Sequence, residues 1–153
     1  LEAPEYRMNV ATLRVDGPDE ALAKIRQSLG LEVDGEWRAG DMRRSGKIHT
    51  HSGFNMTISD AATPREMEDE VRKFLATAAA QGISFTADGL TGELAIGIGV
   101  GLEDQFVAGV TFSPDDLLDF AKLGLALDLT AYPCSEDEDA EDRKEAEQRK
   151  SDT

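Results

Sequence analysis

Apolar residues recur along this chain in two rhythms, and the alternation between them predicts the order of the elements. Residues 6–15 alternate, with Ala11, Leu13 and Val15 on one face and Val10, Thr12 and Arg14 on the other, the period of a half-buried strand. Over residues 18–29 the spacing lengthens to three and four (Ala21, Leu22, Ile25, Leu29), which predicts a helix ended by Gly30. Residues 34–49 keep neither period and are rich in Gly, Arg and Asp, so they read as a long loop carrying the only tryptophan, Trp37. A second strand is predicted over 51–58. The helical rhythm is clearest in 64–81, where Met67, Val71, Phe74, Leu75 and Ala78 form one stripe and Glu68, Asp69, Arg72 and Lys73 lie off it.

Residues 93–102 alternate strictly. Leu94, Ile96, Ile98, Val100 and Leu102 oppose Ala95, Gly97, Gly99 and Gly101, a strand with one smooth face. Residues 106–112 alternate likewise, and the short acidic link through Glu103 and Asp104 predicts a hairpin between the two. A short helix over 114–122 follows. Leu125, Leu127 and Leu129 then mark a last strand ending at Tyr132-Pro133.

Three helix starts share one device: Gly17-Pro18-Asp19-Glu20, Thr63-Pro64-Arg65-Glu66 and Ser113-Pro114-Asp115-Asp116. Each predicts a cap, a proline where an amide proton would go unused, and acid near the positive end of the helix dipole. Residues 10–33 and 107–127 also share a strand-helix frame, with Leu29-Gly30-Leu31 matching Leu123-Gly124-Leu125. The expected fold is therefore α+β: an antiparallel sheet of about five strands with three helices on one face, ferredoxin-like with two similar halves.

Large apolar residues stop near Cys134, so residues 1–134 are expected to form one globular domain. Residues 135–153 hold nine acids and four bases and read as a disordered acidic tail. Over the whole chain, 31 acids and 16 bases leave a net charge of −15, which opposes binding to nucleic acid or anionic lipid. The charge is uneven. Residues 76–134 carry eight acids against Lys122 alone, whereas residues 1–50 nearly balance, and this asymmetry predicts a basic protein, such as a toxin, as partner. Cys134 is the one cysteine, so no intramolecular disulfide can form, and a reducing, cytoplasmic setting is expected. Residues 1–7 lack the pattern of a signal peptide, and the longest apolar run, 94–102, is too short to span a bilayer as a helix.

Candidate chemistry is sparse. Asp115-Asp116 and Asp19-Glu20 are paired carboxylates at which general acid–base work is conceivable, but helix capping already accounts for them. His49-Thr50-His51 has a zinc-compatible spacing, with Asp41 or Cys134 as further ligands, yet lacks a clear third and fourth donor. Cys134 follows the last strand beside an acidic run, which is a poor setting for a nucleophilic pair with a histidine. Gly97, Gly99 and Gly101 alternate inside a strand and so make no phosphate loop. They would pack closely against a neighbour or floor a shallow groove. No catalytic residue, metal site or cofactor is assigned. The one basic island, Trp37, Arg38, Asp41, Arg43 and Arg44 with Lys47, is the candidate ligand-binding set, suited to an anion or a partner's carboxylates.

Taken in order, Ala11-Thr12-Leu13-Arg14-Val15, Leu29-Gly30-Leu31, Trp37-Arg38-Ala39-Gly40-Asp41, and Leu123-Gly124-Leu125 with Asp128 to Tyr132 resemble a bacterial family, domain of unknown function 4279. The likeness spans roughly residues 6–132, with Phe54 where a second tryptophan is expected. It implies an α+β domain and carries over no site residue. Two functions remain: a non-catalytic protein-binding module of immunity or antitoxin type, or a small-molecule or anion-binding domain using the Trp37/Arg38/Arg43/Arg44 loop.

Overall fold

In the computed structural model, which describes residues 9–134, the first strand β1 (Asn9–Gly17) lies at the centre of the sheet and every other element is placed around it. The acidic tail expected over 135–153, and residues 6–8 of the first predicted strand, lie outside the described residues. After β1 come α1 (Asp19–Leu29), β2 (Gly35–Trp37), β3 (Ser52–Ala61), α2 (Pro64–Ala80), β4 (Thr91–Val100), α3 (Pro114–Leu123) and β5 (Leu125–Pro133), with a short 3-10 turn at Ala87–Gly89 before β4. The strands are ordered β2-β3-β1-β4-β5. β1 is antiparallel to β3 and to β4, and β2 is antiparallel to β3.

The alternation read in the sequence decides the layers. Ala11, Leu13 and Val15 of β1, Phe54 and Met56 of β3, and Leu94, Ile96 and Ile98 of β4 are all buried in one core. The same core takes Leu22 and Ile25 of α1, Met67, Val71, Phe74 and Leu75 of α2, and Phe120 and Leu123 of α3, so the three helices cover one face of the sheet. Burial of these side chains, at roughly 1.5–3 kcal/mol each, is the main stabilising term. Phe54, in the place of the expected tryptophan, is fully buried there.

Along the chain, β1-α1-β2 brackets β3, and β3-α2-β4 brackets β1, the two interleaved split βαβ units of a ferredoxin-like fold. The two similar halves are these units, not the pair over 10–33 and 107–127. What Leu29-Gly30-Leu31 and Leu123-Gly124-Leu125 share is a helix end. Gly30 and Gly124 take the left-handed conformation (φ 62° and 74°) that closes α1 and α3 at little steric cost.

Three further expectations are corrected. Residues 106–112 form no strand and no hairpin with β4, because β1 and β5 already occupy both edges of β4. Phe106 and Val107 are accordingly exposed. β5 lies parallel to β4, since a helix crossing over the face returns the chain to the end from which it came, and the sheet is therefore mixed. The loop over 34–49 contains β2, a short edge strand. At the helix starts, Thr63 and Ser113 cap with their side chains as expected, whereas α1 begins one residue later than predicted and has Pro18 itself at the cap.

Candidate functional site

Among the described residues, no element lies over the face of the sheet turned away from the helices. β1 sends Val10, Thr12, Arg14 and Asp16 to that side, and the half-buried or exposed positions of β4 and β5 join them. Two places on this outer side carry distinctive side chains, one around Trp37 and one over the glycines of β4.

Trp37 pairs with Gly53 across the β2–β3 ladder, and Gly53 pairs with Asp16 across β3–β1. Lacking a side chain, Gly53 lets the indole lie directly on the sheet. The Arg14 guanidinium sits 4.8 Å from the indole centroid and His49 stacks on it at 5.1 Å, with Arg14 held by Asp16 at 3.5 Å. The loop between β2 and β3 is folded back on itself. The Arg38 amide donates to Asp41 Oδ2 (2.8 Å), the His49 amide to the Asp41 carbonyl (2.8 Å), and the Arg43 amide to the Lys47 carbonyl (2.7 Å).

A cavity of about 440 Å³ opens beside this loop against α1. Trp37, Arg38 and Asp41 of the expected ligand set line it, whereas Arg43 and Arg44 do not. Arg43 instead donates through Nε to His49 Nδ1 at 3.3 Å, and Arg44 is exposed. Arg26 also lines the cavity but is paired with Glu36 at 2.7 Å, and Asp19 faces the same space. Two guanidiniums and three carboxylates therefore surround it. The indole N–H of Trp37 is buried without an acceptor among the described residues.

The second place is a groove of about 340 Å³ between β1 and β5, with Gly97 and Gly99 of β4 on its lining. Sequence reasoning placed the glycines together but did not connect them to β5, because the parallel pairing is long-range. The register sets Gly97 opposite Thr130 and Gly99 opposite Tyr132. Tyr132 leans back one step so that its Cε2 lies 3.0 Å from where a Cβ on Gly97 would sit. Thr12, Thr130, Asp128 and Cys134 complete the rim.

The remaining charged cluster is internal. Arg72 of α2 donates through Nε to Asp116 Oδ2 (2.9 Å) and through Nη2 to the Thr111 carbonyl (2.9 Å), while Asp69 accepts from Nη1 at 3.1 Å. Asp116 and Ser113 form a reciprocal capping box at the start of α3. Burial alone would push the Asp116 pKa up, but the Ser113 amide, the Arg72 guanidinium and the Ser113 hydroxyl outweigh it and hold the carboxyl below its ordinary value. The hydrogen bond to Asp116 in turn raises the pKa of Arg72 against the opposing effect of burial. Asp116 is thus occupied in joining two helices. Asp115 beside it is exposed.

Glu93, Glu103, Asp104, Asp115, Asp119 and Asp128 form no ion pair with any described residue. They lie on β4, β5, α3 and the connection between β4 and α3. Among the described residues no three of His, Cys, Asp and Glu are grouped to hold a metal ion, and no helix is long and apolar enough to cross a membrane.

Neither a curated protein nor a solved structure matches the chain. A family model does, over residues 4–133, and on that match the chain belongs to the family described as Domain of unknown function (DUF4279).

Proposed function

We propose that this chain is a non-catalytic protein-binding module of the immunity or antitoxin type, which holds a basic partner against the sheet face turned away from the helices and the acidic β5 side. The observation that carries the reading is the set of carboxylates on β4, β5, α3 and the connecting segment that the fold does not use for pairing. Unpaired like charges raise the self-repulsion of the free protein, and a cationic surface relieves it. A chain with a single cysteine suits a reducing compartment, which supports a cytoplasmic setting for this action. Capture from the native host at low and at high salt tests it. Basic proteins retained at low salt and released at high salt are expected; retention that ignores salt, or no basic protein among those bound, refutes the reading.

A second reading, a small polar ligand in the cavity lined by Trp37, Arg38 and Asp41, is favoured by the guanidiniums and carboxylates that surround that space. The mixed charge of the lining suits a zwitterion better than a simple anion. Because Trp37 is the only tryptophan, such a ligand would change the intrinsic fluorescence on titration, and a flat response to a panel of amino acids and nucleosides counts against it.

A further inference from the structure

We propose that the groove over Gly97 and Gly99 is the anchor pocket for a single cationic side chain, an arginine or lysine, of the basic partner. This rests on the contact reading above and locates its centre.

The shape follows from the strand pairing. β4 lies between β1 and β5, so the walls stand two strand spacings apart, about 10 Å, and the missing side chain of Gly97 lets the Tyr132 ring settle onto the floor between them. One wall carries the Thr12 hydroxyl and the other the Thr130 hydroxyl. Tyr132, 57% exposed, leans over Gly97 to the level of Thr130, one side-chain step along β5 from Asp128. An aromatic ring, two hydroxyl acceptors and a carboxylate thus line one groove.

The charge decides the occupant. Asp128 is the one formally charged group on the lining, and it has no ion-pair partner among the described residues. An anion would meet that carboxylate and the acidic surroundings. An apolar group would strip water from the carboxylate and both hydroxyls without replacing its hydrogen bonds. A guanidinium or ammonium gains the ion pair, the hydroxyl acceptors and the ring face together.

The test is an amide NMR titration of the full chain with N-acetylarginine amide, against its neutral isostere N-acetylcitrulline amide. Saturable shifts at Thr12, Gly97, Gly99 and Thr130 with arginine but not citrulline are expected. Asp128→Asn and Tyr132→Leu each weaken binding by about two- to fivefold, the size of one exposed ion pair or cation–π contact. Both residues are exposed, so the variants are expected to keep the dispersed spectrum of the folded chain. Equal response to the two compounds, shifts confined to other acidic positions, or variants that bind as the parent does would each overturn the anchor. Shifts at Glu103, Asp104 and Asp115 alone would sink the anchor and leave the contact reading to the salt-dependent capture. Groove binding with no basic protein captured would retire the contact reading and leave a cation site.

Discussion

Gly53 lies so close beneath Trp37 that a Cβ built on it would come 2.7 Å from indole Cε2 and 2.6 Å from Asp16 Oδ1. Gly53→Ala must lift the ring off the sheet, separating it from Arg14 and His49. The expected cost is about 1–3 kcal/mol, typical of overpacking, read by urea unfolding together with a shift in Trp37 emission. A change as small in the same strand is expected to act with the opposite sign. Ser59 is 2% exposed and its hydroxyl has no partner among the described residues, so Ser59→Ala removes an uncompensated desolvation and stabilises by about 1 kcal/mol in the same assay. If both variants destabilise equally, the environments described for them are wrong. Neither residue stood out in the sequence. Gly53 reads as a strand boundary until its partners across two ladders are known. Ser59 points inward only because Ile58 is an extra residue in a β-bulge, where the register shifts between Ala11 and Thr12 and the buried set moves from Phe54 and Met56 to Ser59 and Ala61. The same bulge explains why strict alternation ended the predicted strand at Ile58 when β3 continues to Ala61.

Among the elements, the helices were legible nearly to the residue because their signals are local: a cap, a proline, a stripe at helical spacing and a closing glycine. How they join was not. Arg72 stood off the apolar stripe of α2 with nothing local to mark its role, because its partner Asp116 is 44 residues further on. The connection from β4 to α3 is fixed the same way, by side chains reaching distant backbone. Glu68 accepts from the Thr111 amide at 2.7 Å, and buried Asn9 and Gln105 exchange hydrogen bonds at 3.1 and 3.0 Å, with Gln105 also donating to the Gly99 carbonyl. This polar network gives residues 101–113 a fixed path without a strand, which their alternating pattern disguised. The Arg72–Asp116 contact predicts a pH dependence. The folded carboxyl has a pKa below its ordinary 3.8, so the contact's stabilisation is fully present above that value and is lost as pH falls through the lowered one. Asp116→Asn is expected to cost about 1–2 kcal/mol near neutral pH, discounted for the partial exposure of Arg72, and progressively less under acid. Unfolding measured from about pH 6 to pH 3 checks it, and a gap between wild type and variant that widens on acidification contradicts the assignment.

At the scale of the whole molecule, periodicity told which residues face inward but not which strand neighbours which, since a strand's pattern is the same whatever it pairs with. The α+β class, the single helical layer and the smooth face of β4 were therefore readable. The parallel β5, the edge strand β2 and the groove between β1 and β5 came only with the pairing. Net charge, by contrast, is read without any structure, and it predicts how the assembled fold responds to salt. Arg14, Lys24, Arg26 and Arg72 are the bases engaged with acids among the described residues, and most of these pairs are solvent-exposed, where each contributes about 0–1 kcal/mol. Against them stands a net charge of −15, whose mutual repulsion is larger in the compact chain than in the unfolded one. Screening should weaken the repulsion more than the pairs. Raising sodium chloride towards 0.15 M, where the Debye length shortens to about 8 Å, is expected to raise Tm by about 2–4 °C, the equivalent of roughly 1 kcal/mol for a chain of this size. A fall in Tm over that range would mean that the exposed pairs outweigh the repulsion. The unpaired carboxylates around β5 would then not be the strained surface from which a cationic partner gains its affinity.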